Sequence, residues 1–122
     1  MAITAPTLAN PNGGAQLDAR IFSGGNSDDD NDVIFTLDAD GFNKFTFGST
    51  AGAVDVLVSL DGTNFLSTAV YFNSLISATP ATQVNVTAAN GLYVLTGRFA
   101  KVRFLQNGAT DVENFTVVAS RE

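Results

Sequence analysis

Val54-Asp55-Val56-Leu57-Val58-Ser59-Leu60-Asp61-Gly62-Thr63-Asn64-Phe65 decides the fold class. Val54, Val56, Val58 and Leu60 recur at every second position, with Asp55, Leu57 and Ser59 between them. A period of two puts one set on one face of an extended strand, whereas a helix would scatter it around its axis. Asp61-Gly62 then breaks the pattern, and an Asp-Gly pair between β-patterned runs signals a tight turn. The stretch reads as a strand over 53–60, a turn, and a short return strand over 65–68.

The same period runs outward in both directions. Toward the C-terminus, residues 83–87 alternate around Val84 and Val86, and 92–95 form a short apolar run after Asn90-Gly91. Ala100, Val102 and Phe104 then alternate with Lys101, Arg103 and Leu105. Asn107-Gly108 is a second hairpin signal, followed by Phe115, Val117 and Ala119 against Asn114, Thr116 and Val118. Toward the N-terminus, Phe45 and Phe47 alternate with Lys44 and Thr46, and Val33, Phe35 and Leu37 with Ile34 and Thr36. Residues 70–79 fit either a strand or a single helical turn, closed by Pro80. About eight short strands with turn signals roughly every 8–12 residues predict an all-β, antiparallel β-sandwich, jelly-roll-like, and no segment has helical periodicity.

Two stretches fall outside this pattern. Residues 1–19, broken by Pro6, Pro11, Gly13 and Gly14, read as an extended N-terminal arm, with residues 20–122 as one domain. In that arm Ile3, Pro6, Leu8 and Pro11 are the apolar groups a partner subunit would hold. Residues 20–32 contain Ser23-Gly24-Gly25-Asn26-Ser27-Asp28-Asp29-Asp30-Asn31-Asp32 and read as a loop.

Composition narrows the chemistry. Among 122 residues there is no histidine and no cysteine, which removes the commonest general base, disulfides and the usual zinc ligands. Ten phenylalanines are enough to build a core. Twelve acidic residues against six basic ones leave a net charge of −6, the wrong sign for a nucleic-acid surface. No apolar run has the length of a membrane span, and no secretory leader is expected from Met1-Ala2-Ile3-Thr4-Ala5-Pro6. Asn85-Val86-Thr87 and Asn114-Phe115-Thr116 match glycosylation sequons and are read as chance. Carboxylates in turns without an apolar pocket make poor acid–base pairs, so the chain is expected not to be an enzyme.

The acidic run is the most site-like feature. Asp28, Asp30 and Asp32 offer the hard oxygens that calcium takes, though the run lacks the glycine and terminal glutamate of an EF-hand loop. Its other reading is a solvated loop that aids solubility, with no cofactor. Arg98, Lys101 and Arg103 form the one basic group of this region, expected to pair within the molecule with Asp55, Asp111 or Glu113.

The segment 54–65, together with Gly97-Arg98-Phe99-Ala100-Lys101-Val102-Arg103-Phe104 and the strand that follows it, resembles β-sandwich modules of bacteriophage virions. Those modules are head-decoration (cement) proteins and tail-associated adhesion modules. The resemblance spans roughly the last 70 residues, the scale of one small sandwich. It implies a structural protein on the capsid surface of the virion that binds the major capsid protein or other virion subunits, as a homo-oligomer such as a trimer. The alternative is a carbohydrate- or receptor-binding module of a phage tail or secreted bacterial protein. The absence of tryptophan and the presence of only two tyrosines, Tyr71 and Tyr93, count against sugar stacking. The resemblance transfers no catalytic residues.

Overall fold

A computed structural model describes residues 2–4, 19–75 and 82–121, the side chains of 2–4 and Thr82 excepted. The described strands are β1 (Ala2–Thr4), β2 (Ala19–Ser27), β3 (Val33–Asp38), β4 (Lys44–Gly48), β5 (Val54–Ser59), β6 (Phe72–Ser74), β7 (Thr82–Val84), β8 (Tyr93–Thr96), β9 (Lys101–Gln106) and β10 (Val112–Ser120). They form two antiparallel sheets, one of seven strands in the order β1-β2-β10-β4-β8-β6-β7 and one of three in the order β3-β9-β5. The architecture is a β-sandwich, with no helix among the described residues.

Alternation aims one side of every central strand inward. Phe45, Phe47, Tyr93, Leu95, Phe115 and Val117 meet Phe35, Leu37, Val54, Val56, Val102 and Phe104 in a single core. Phe47 sits at its centre, with ring centroids of Phe72 at 5.0 Å, Phe104 at 5.1 Å, and Tyr93 and Phe115 each at 6.1 Å. Rings from both sheets thus interlock in the tilted and edge-on geometries that aromatic quadrupoles favour.

The β2 strand corrects the loop expected over 20–32. Gly24 and Gly25 sit inside a nine-residue strand that pairs with β10 from Ala19↔Ser120 to Val112↔Ser27. Gly25 is there because space is short: a Cβ at this position would lie 2.7 Å from the Ile34 side chain and 3.0 Å from the Phe35 ring. Register shifts in β10 accompany it, and Asn114, within the first of them between Val112 and Phe115, takes φ +56°. That bulge lets Val112 and Phe115 both enter the core, although a plain two-residue period would send one outward.

The arm expected over 1–19 begins with β1, the edge strand of the larger sheet, whose backbone pairs with β2, Ile3 opposite Phe22. Pro6, Leu8 and Pro11 lie outside the described residues, as do 76–80 of the ambiguous segment; its earlier part supplies β6. The return strand expected over 65–68 is reduced to one bridge, Ser59↔Phe65. Beyond it, irregular chain satisfies the edge of β5, with Leu66 N–H donating to the Val58 carbonyl, Val70 to Val56 and Thr87 to Val54. Such cover blunts a strand that would otherwise offer a pairing edge. The Asp61 carboxylate organises the turn, accepting from the backbone N–H groups of Thr63 and Asn64, both at 2.8 Å, while Gly62 supplies φ +83°. Leu60, expected to share a face with Val54, Val56 and Val58, lies past the end of β5 and is 67% exposed.

Candidate functional site

The strand directions bring the acidic loop to a definite place. β2 ends at Ser27 beside Val112, the first residue of β10, and the chain crosses to the three-stranded sheet through residues 28–32. This loop is tied down at its C-terminal end: Asn31 N–H donates to the Gln106 carbonyl and Gln106 N–H to the Asp32 carbonyl, each at 2.9 Å. The fully buried Gln106 side chain secures the crossing, its Oε1 accepting from Ser27 Oγ at 2.6 Å and its Nε2 donating to the Gly108 carbonyl at 2.9 Å. Between the loop and the start of β10 lies an open cleft of about 470 Å³, lined by Asn26, Asp28, Asp32, Val33, Asp111 and Glu113 among others.

Within the loop, Asp28, Asp29 and Asp32 present carboxylate oxygens within 4.8 Å of one another. Asp32 Oδ2 also accepts from Asp29 N–H at 3.1 Å. Asp28 feels the crowding: the Asp29 charge first, then partial desolvation, then Asp32 and Asp111 hold its carboxyl above the ordinary value of 3.8. Asp30 has another task. Its Oδ1 accepts from Gly108 N–H at 2.8 Å and latches the loop to the β9–β10 turn. Of the three residues singled out from the sequence, the structure thus gathers Asp28 and Asp32, puts Asp29 with them, and engages Asp30 elsewhere. The missed signal was geometric, since Asn31 at φ +70° turns the chain so that 28, 29 and 32 converge. Calcium takes six to eight oxygens, of which these three side chains would supply part.

The basic group is dispersed. Lys101 pairs with Asp38 at 3.7 Å, and Arg103 stacks 3.9 Å above the Phe65 ring while donating to Thr36 Oγ1 at 3.1 Å. The expected partners Asp111 and Glu113 lie toward the other end of the strands, which corrects that pairing: β9 begins at Lys101 beside the end of β3, far from the start of β10. Asp55 instead accepts from Asn107 Nδ2 at 3.2 Å.

An antiparallel β-sandwich whose polar work lies on loops and surface is the class that this geometry defines. No protein-family model matches the sequence. No curated protein matches it either. Among solved structures, the chain is similar to the SPBc2 prophage-derived protein YomS, with a TM-score of 0.61 at 10% identity, over 86% of this chain and 96% of that one. The likeness is one of fold.

Proposed function

We propose that this chain is a non-enzymatic structural protein of a bacteriophage particle, a decoration (cement) protein that binds capsid subunits on the head surface. The observation that carries the reading is the shared fold: one sandwich accounts for nearly the whole length of a prophage-derived protein. It is supported by the two segments that resemble phage modules and by a rigid core of interlocked phenylalanines. Asp28 owes its raised pKa to neighbouring carboxylates on an exposed loop, unlike the apolar pocket that poises a catalytic acid. The β1 strand, at the edge of the seven-stranded sheet, offers the backbone edge on which a capsid subunit would dock.

Co-sedimentation with purified capsid shells of the phage that encodes the protein tests this. The full chain is expected to pellet with shells in a saturable manner, and a variant lacking residues 2–18 to bind more weakly. A chain that stays in the supernatant at saturating shell concentration would refute the docking role. Chelator-sensitive binding to glycans in its place would point to the adhesion alternative.

A further inference from the structure

Phe45 and Phe47 point into the core, so Lys44, Thr46 and Gly48 face away from it. β4 is the fourth of seven strands in its sheet and Thr46 is its middle residue, so Thr46 marks the centre of that sheet's outer face. Thr46 lies across from Val118 on one side and Val94 on the other, and this row runs on to Ile21 and Asn73. A second row holds Thr116 and Gly48 with Leu92 and Leu75 beside them, the Leu75 N–H donating to the Leu92 carbonyl at 2.8 Å. The third holds Ala19, Ser120, Lys44 and Thr96. Of the positions in these rows, only Lys44 is charged. Glu113, the carboxylate of β10, stands in the bulge and lines the acidic cleft instead.

The outer face of the smaller sheet is built differently. Asp38, Asp55, Lys101 and Arg103 all stand on it, and the Phe65 ring covers Arg103. Charge on an exposed sheet face is what keeps a soluble chain from stacking on itself, and the larger sheet forgoes it. Its outer face mixes valine, isoleucine and leucine with threonine and serine, and it is open to solvent at Leu75 and Leu92, which are 49% and 38% exposed. Val94 is nearly buried there, although it belongs to no part of the core between the sheets.

We propose that two copies of this chain pair through the outer faces of their seven-stranded sheets, about a two-fold axis passing close to Thr46. Charge selects a second copy as the occupant. Each molecule carries −6, so contact through the acidic loops sets carboxylate against carboxylate, whereas this face brings none. Area agrees: seven strands about 4.8 Å apart and five residues of about 3.4 Å each cover roughly 550 Å², or about 1,100 Å² over two copies, enough for a modest specific interface. Two sheets of the same twist stack about 10 Å apart with their strands roughly 30° off parallel, which lets the valine and threonine rows interleave. A contact of one patch with itself is isologous and closes at two. The pairing rests on the fold alone and is independent of shell docking.

Sedimentation velocity over about 1–300 µM reads the association, because an interface of this area is expected to hold with a Kd of roughly 1–100 µM. The average mass rises from monomer to dimer and stops there. Raising salt from about 20 mM to about 0.5 M tightens the Kd at least about threefold, because it screens the repulsion between two acidic copies. Thr46→Glu and Thr46→Lys each weaken the Kd at least about tenfold, since each sets two like charges together at the centre of the interface. Mixed, these two variants pair with each other, and that rescue also proves both folded. Thr36→Glu, the same change on the outer face of the smaller sheet, leaves the Kd within about twofold. A wild-type chain monomeric throughout the series would overturn the proposal, as would growth beyond the dimer. A dimer that tolerates Thr46→Glu, or a mixture that fails to pair, would overturn it as well.

Discussion

Replacing Phe47 with alanine probes the core at the point where both sheets meet. Its ring is 1% exposed and touches Phe72, Tyr93 and Phe115 from its own sheet and Phe104 from the facing sheet. Truncating a buried phenylalanine costs about 3–5 kcal/mol through lost transfer energy and the cavity left behind. Each aromatic pair contributes roughly 0.5–1.5 kcal/mol beyond area, which places Phe47→Ala toward the upper part of that range. A domain of this size is stable by about 5–15 kcal/mol, so the variant folds only marginally. Phe47→Leu keeps most of the volume and is expected to lose roughly 1–2 kcal/mol. The assay is urea unfolding followed by circular dichroism, with the slope m held at about 1–3 kcal/mol per molar. The alanine variant then unfolds at least about 1 M earlier than wild type. Tyr71→Ala, at a side chain 61% exposed, stays within about 0.5 kcal/mol. If Phe47→Ala and Tyr71→Ala cost the same, Phe47 does not lie between the sheets and the packing described here is wrong.

Other expectations follow from single contacts. Gly25→Val drives a side chain into Ile34 and Phe35 and costs about 1–3 kcal/mol by thermal or urea melts; a neutral result would mean β2 does not lie against β3 there. Hydrogen bonds hold the Asp61 carboxyl well below its ordinary value of 3.8, the Asn64 and Thr63 backbone N–H groups first. A depressed folded pKa contributes stability above 3.8 that is lost as pH falls, so the acid limb of a Tm-versus-pH curve flattens in Asp61→Ala. For Asp28 the sign reverses: its raised pKa favours the folded state below 3.8 and weakens it as pH rises past the folded value. Asp28→Asn is therefore expected to raise Tm at pH 7 and to leave it unchanged at low pH, and a lowered Tm at pH 7 would show that the acidic loop is not strained by charge.

Local alternation made much of this fold legible. The 53–60, 99–106 and 112–119 runs contain β5, β9 and most of β10, with ends off by a residue or two, because one face of each is buried and shows in the period. What the period missed was decided by contacts distant in sequence. β2 hides behind two glycines and a serine because its partner, β10, lies some ninety residues away and its glycines answer to Ile34 and Phe35. The return from Asp61-Gly62 fails to become a strand because irregular chain satisfies the β5 edge without a regular ladder. At the acidic loop, composition marked the region, whereas backbone geometry chose Asp29 over Asp30.

The structural role on a phage particle is tested most directly by quantifying this chain in gradient-purified virions of the phage that encodes it. The account predicts that the chain co-purifies at a fixed ratio to the major capsid protein and is stripped without loss of the tail. A chain abundant in the lysate and absent from the particles would contradict it.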